Sequence, residues 1–177
     1  MTAAATGLLT FAEFERLPEP AGFCYELHHG ELVEMSGPVH EHYAIQRRLR
    51  RLLEVAAGLS GEVDIEMGFR PLPEHEYRRA DVAFVSAARW QSIPPRGNLA
   101  GAPELVIEVL SPSNRASEML DKEQLCLENG SLEFWVVDSD RRQVKVSTSD
   151  GRAIVYKAGQ QIPLLFGGAL AVDAIFA

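Results

Sequence analysis

The stretch that decides the fold is Glu104–Asp138, ELVIEVLSPSNRASEMLDKEQLCLENGSLEFWVVD. It reads as a strand, a tight turn carrying Pro112, a helix of about four turns and a second strand. Side chains alternate along a strand, so Leu105, Ile107 and Val109 point one way and Val106, Glu108 and Leu110 the other. Glu108 therefore stands between aliphatic neighbours on a face that should be covered. A carboxylate there is costly unless a cation or a hydrogen-bond network meets it.

The strand–helix–strand unit sits in a chain of 177 residues, one domain by the usual size rule and large enough for a continuous core. Hydrophobic residues make up 46% and charged residues 24%, the balance of an ordinary soluble globular protein. No apolar run is long enough to span a membrane. The opening MTAAATGLL lacks the basic segment of a secretory signal. Cys24 and Cys126 fall in no metal-binding spacing, so reduced thiols in a cytoplasmic protein are expected. The formal net charge of −8 argues against broad phosphate gripping, yet it is compatible with carboxylates neutralised by a divalent metal.

Upstream, Thr10 and Glu13 form a capping-box pattern for a short helix that Pro18 and Pro20 stop. FCYELHHGELVEM is two alternating runs around His29-Gly30, a hairpin that sets Glu26 opposite Val33. After Gly37-Pro38 a helix runs to about Ala57, with His42, Ile45, Leu49, Leu52, Leu53 and Ala56 on one stripe. Arg47, Arg48, Arg50 and Arg51 take the solvated side, and Gly58 and Gly61 end the helix. EVDIEMGFRPL alternates as a strand, Val63, Ile65 and Met67 against Asp64, Glu66 and Gly68. RRADVAFV is a strand opening on Asp81. Residues 87–102 read as a loop with at most one helical turn. Asp150-Gly151 marks a second hairpin, and the apolar tail reads as a short strand and turn.

Read position by position, the chemical candidates are Glu26, His42, Asp81, Glu108 and Lys122. Two acids on adjacent strands can hold one hard divalent cation through oxygen, as Mg²⁺ prefers. Such a cation polarises a phosphoryl oxygen and acidifies a bound water. A lysine ammonium nearby would orient that water or meet the charge that develops. His40 and His42 lack the third ligand of a zinc site. Ser111 lacks the glycines of a nucleophile elbow and reads as a turn residue.

YELHHGELVEM, His42-x-x-Ile45-x-x-x-Leu49, ADVAFV, PELVIEVLSPS, Lys122 with Gly130 and EFWVVD occur in that order. Together they resemble the Uma-type restriction endonuclease family of the PD-(D/E)XK nuclease superfamily, over roughly Thr10 to Tyr156. The resemblance implies a restriction-endonuclease-like α/β core of α+β type, a mixed central sheet flanked by helices. It implies a site of Glu26, Asp81, Glu108 and Lys122, with Mg²⁺ or Mn²⁺ on Asp81 and Glu108, and DNA as substrate. A homodimer would cut both strands. The superfamily's lysine two residues after the second acid is Leu110 here, and Lys122 supplies the cation instead. His29 stands for the family's turn aspartate, Ala80 for the proline before the first strand acid, and Cys126 for an aromatic residue. These departures leave open a nuclease-fold binding module that does not cut, or a small-molecule hydrolase using the same acids.

Overall fold

The computed structural model describes residues 7–18, 22–37, 39–111 and 115–177. The turn expected at Pro112 and the helix boundaries expected at Pro20 and Pro38 lie outside the described residues. Helix α1 (Phe11–Phe14) carries the expected capping box, in which Thr10 N donates to the Glu13 carboxylate and Glu13 N to Thr10 Oγ1.

Strands β1 (Phe23–His28) and β2 (Glu31–Ser36) form the expected antiparallel hairpin, with Glu26 paired to Val33. His29 at φ 50° and Gly30 at φ 83° both take positive φ, the two-residue turn whose twist matches the strands. Leu27 and Tyr77 exchange backbone hydrogen bonds at 2.9 Å in each direction, tying the hairpin to the approach of β4 (Arg78–Ser86).

Helix α2 (His40–Ala57) buries Ile45, Gln46, Leu49, Leu53 and Ala57. The predicted stripe holds except at its end, where Ala57 is buried and Ala56 exposed. It also passes over Gln46, a polar residue inside the apolar face. Gly58, at φ 52°, ends the helix and a 3-10 turn follows to Ser60.

The central sheet has seven strands. Besides β4 they are β3 (Gly61–Arg70), β5 (Leu99–Ala100), β6 (Leu105–Val109), β7 (Glu133–Asp138), β8 (Gln143–Thr148) and β9 (Ala153–Lys157), in the order β5-β3-β4-β6-β7-β8-β9. The sheet is mixed: β6 and β7 are parallel, as are β3 and β5, and the other neighbours are antiparallel. A parallel pair needs a long crossover, and helix α4 (Ala116–Glu128) provides it between β6 and β7. Gly151, at φ 84°, turns the β8–β9 hairpin where Asp150-Gly151 predicts it.

Two of the expected boundaries differ. Asp81 lies inside β4 rather than at its start. Residues 87–92 form helix α3 (Ala87–Ser92), longer than one turn, because no proline intervenes before Pro94. The tail adds β10 (Gln161–Pro163), β11 (Ala169–Ala171) and α5 (Val172–Ile175), and buries Val172 and Ile175.

Apolar residues fall into two clusters on either side of the sheet. Leu105, Ile107 and Val109 pack with α2 and α5 residues, while Val106 packs with Cys126 of α4, as the alternation in β6 predicts. Alternation fails in β3 and β4. Val63 and Ile65 belong to the α2 side, but Met67 and Phe69 to the α4 side. Across the ladder Val82 belongs to the α2 side and Ala80 to the α4 side. The break falls at Glu66, whose φ of 53° reverses the strand's faces, and at Asp81 facing it. The edge between the two cores is where the acids gather. Among the described residues no helix is long and apolar enough to cross a membrane.

Candidate active site

Glu108 leaves β6 toward α4, where Lys122 comes down to meet it. Lys122 Nζ stands 2.8 Å from Glu108 Oε1 and donates at 2.6 Å to the carbonyl oxygen of Arg79. The two side chains are nearly sealed from water, with Glu108 at 7% and Lys122 at 9% exposure. Burial works against the Lys122 ammonium, but Glu108, then Glu26 and Asp81, hold it protonated above the usual lysine range. Burial pushes the Glu108 carboxyl up to about 8, against the pull of Lys122 and with the push of Asp81.

Asp81 belongs to the same cluster through backbone and side chain. Its amide donates to Glu108 Oε1 at 3.4 Å, and its Oδ2 accepts from Val109 N at 2.6 Å. His42 Nε2 lies 3.0 Å from Asp81 Oδ2. Burial lowers the His42 pKa, but Asp81 outweighs it and leaves the imidazole above its ordinary value. Gln46, one turn further along α2, donates from Nε2 to Asp81 Oδ1 at 2.9 Å and to Glu66 Oε1 at 2.6 Å.

Glu26, at 2% exposure, enters from the hairpin. Its Oε2 lies 2.6 Å from His28 Nε2, and its Oε1 accepts from Arg79 N at 3.1 Å. Burial raises its pKa, but Lys122 and His28 more than offset that and keep it ionised below the ordinary range. The Arg79 residue thus receives Lys122 on its carbonyl and feeds Glu26 through its amide. All five predicted residues, Glu26, His42, Asp81, Glu108 and Lys122, converge on one place.

A second network fixes the frame. Arg78, at 1% exposure, binds Glu76 Oε2 through Nε at 2.8 Å and Asp121 Oδ2 through Nη2 at 3.1 Å. His29 Nδ1 lies 2.7 Å from Glu76 Oε1, and its Nε2 lies 2.9 Å from Asp121 Oδ1. Asp121 precedes Lys122, so the hairpin tip and the lysine are locked to the same buried arginine. Sequence reasoning missed Gln46, Glu66 and this network. Gln46 was findable, because a glutamine four residues after His42 on an apolar stripe needs a partner. The Arg78 contacts join residues far apart in the chain and left no local signal.

Among the described residues no group of three or more His, Cys, Asp or Glu stands ready to hold a metal. The atoms that meet the Asp81 carboxylate are nitrogens of Gln46, His42 and Val109, but carboxylate oxygens of Glu66 and Glu108 stand next to them, and Gln46 Oε1 is buried without a hydrogen-bond partner. That donor chemistry fits a hard cation such as Mg²⁺ or Mn²⁺. A cleft of about 650 Å³ opens beside His42 and Val109, with Arg115, Arg141 and Lys145 on its walls.

This architecture, with acids and a lysine gathered where β4 and β6 meet, defines the class of restriction-endonuclease-like folds. The chain matches, over residues 11–172, the family Uma2, described as "Putative restriction endonuclease", and it belongs to that family. The crystal structure of a putative nuclease belonging to DUF820 from Anabaena variabilis is similar in fold, with a TM-score of 0.81. The two chains are 21% identical, and the match covers 95% of this chain and 97% of that one. No curated protein matches the chain.

Proposed function

We propose that the protein is a nuclease that hydrolyses DNA phosphodiester bonds with the help of Mg²⁺ or Mn²⁺. The observation that carries this reading is the buried Lys122 ammonium on Glu108, with the amide of Asp81 on the next strand donating to the same Glu108 oxygen. Family membership supports the nuclease class.

Asp81 and Glu108 would hold the cation, which supplies charge for a phosphoryl oxygen and a more acidic water. Lys122, kept protonated by its three acidic neighbours, places a fixed positive charge where the phosphorane develops negative charge. Glu26 stays ionised and holds the amide of Arg79, the residue whose carbonyl accepts from Lys122. His42, which lines the cleft, holds one oxygen of Asp81. Arg115, Arg141 and Lys145 line the cleft beside Glu118, Asp138 and Glu123, the carboxylates they pair with, and would have to exchange those partners for flanking phosphates. Cutting both strands with one site per chain calls for two chains related by a two-fold axis.

One observation favours the rival reading, a nuclease-fold binding module that does not cut. Both Asp81 carboxylate oxygens are already engaged by protein donors. Conversion of supercoiled plasmid to nicked circles, with and without Mg²⁺, separates the two. Cation-dependent nicking by the wild type that vanishes in Asp81→Asn supports the nuclease. DNA binding without nicking at any Mg²⁺ or Mn²⁺ concentration supports the module.

A further inference from the structure

Gln46 is an unusual tenant of a core-facing helix stripe. It is wholly buried, and its one amide nitrogen serves two carboxylates, Glu66 Oε1 at 2.6 Å and Asp81 Oδ1 at 2.9 Å. Its own oxygen, also buried, has no hydrogen-bond partner. A buried amide acceptor left unpaired costs free energy that native structures rarely tolerate. Turning the amide over does not remove the problem. The oxygen would then face two carboxylates, three acceptors with no donor among them. Neither orientation is satisfied by the protein alone. A cation satisfies the turned one, because it attracts all three oxygens together.

Glu66, the other acid on the Gln46 amide, takes φ 53°, a conformation rare for a residue with a side chain, and its second oxygen lies 3.9 Å from Arg79 Nε. The same reversal brings Glu66 and Asp81 to the α2 side of the sheet.

We propose that Glu66 and Gln46 complete the cation site. A hard divalent cation of the Mg²⁺ and Mn²⁺ class binds between Glu66 and Asp81, where the Gln46 amide nitrogen now serves both. The amide rotates about its last side-chain bond and presents Oε1 as a ligand. In the cation-free protein Gln46 is then a placeholder that keeps the two acids from repelling each other. The inference rests on the reading of Asp81 as a cation ligand and enlarges the ligand set that reading uses.

The test is Mn²⁺ titration of the full chain, without DNA, followed by the electron-paramagnetic-resonance signal of free Mn²⁺. Wild type, Glu66→Gln, Gln46→Leu and Asp81→Asn are compared, with circular dichroism to check folding. Glu66→Gln and Gln46→Leu should each weaken Mn²⁺ binding about tenfold or more. In the wild type, the Gln46 side-chain NH₂ resonances, recognised by their loss in Gln46→Leu, should shift when Mg²⁺ is added. Should Gln46→Leu fail to fold, Glu66→Gln gives the answer on its own. Wild-type affinity in Glu66→Gln, alongside lost binding in Asp81→Asn, overturns the inference and leaves the nuclease reading standing. No Mn²⁺ uptake by the wild type overturns both.

Discussion

Glu108 and Lys122 close on each other at 2.8 Å across the junction of β6 and α4, and the two are almost wholly buried. Burying a lone charge is far more expensive than burying a pair, and removing one partner strands the other. If the pair serves the chemistry, its loss should show in the rate. Lys122→Met should reduce nicking by about 10²–10³-fold, the scale of losing one donor at a developing oxyanion. Single-turnover rates on plasmid DNA read the loss, and a rate within a few-fold of wild type would remove Lys122 from the chemistry.

The two buried glutamates push stability in opposite directions with pH. Glu108 is raised from 4.5 to about 8, so the folded state binds that proton more tightly than the unfolded chain. Its contribution is full below about 4.5 and is lost as pH rises through about 8. Glu26 is lowered, so its contribution is present above its unfolded value and lost as the solution is acidified through its folded one. Metal-free Glu108→Gln should lose the decline in Tm between pH 5 and 8 that the wild type shows. Glu26→Gln should instead flatten the acid limb. Calorimetry across pH reads both.

Arg78 should be the costliest of the charged residues to remove. Arg78→Met leaves the buried Glu76 carboxylate with only His29 against it, an expected loss of about 3 kcal/mol. Asp121 is 41% exposed at its side chain, so Asp121→Asn should cost no more than about 1 kcal/mol of stability. Asp121→Asn should nonetheless lower kcat with KM little changed, because Asp121 anchors the turn of α4 that carries Lys122. Urea unfolding and steady-state kinetics on the same variants separate the two effects.

The hairpin turn is equally exacting. At Gly30, φ is 83°, and an added Cβ would lie 2.6 Å from Leu8 Cβ. Gly30→Ala should destabilise the protein by about 1–3 kcal/mol through backbone strain and contact. Hydrogen exchange should quicken at β1 and β2 before it does at β6. Unchanged exchange in the hairpin would contradict its role as the holder of Glu26.

Local patterns carried much of this structure into the sequence. The His29-Gly30 and Asp150-Gly151 turns, the α2 stripe and the split of β6 between two cores follow from residue type and spacing alone. Glu108 was legible because a carboxylate among aliphatic residues demands a partner, whereas Asp81 was read from its place on a strand and Lys122, in a polar run, through the family resemblance. The reversal at Glu66 was not legible. Nothing in EVDIEMGFRPL marks a left-handed residue, and strict alternation sets Met67 on the wrong side. Gln46 escaped because amphipathic patterns score apolar positions, so a buried amide looks like a gap in the stripe. The Arg78–Asp121 contact depends on how the hairpin and α4 meet in space, which no local period encodes.

The central claim is that Asp81 and Glu108 hold a divalent cation that drives strand scission. Supercoiled plasmid, incubated with Mg²⁺ or Mn²⁺ and each of wild type, Asp81→Asn and Glu108→Gln, tests it most directly. The expected result is cation-dependent nicking by the wild type and none above background in folded variants. Nicking at the wild-type rate by either variant, or nicking by the wild type that survives chelation of all divalent cations, would contradict it.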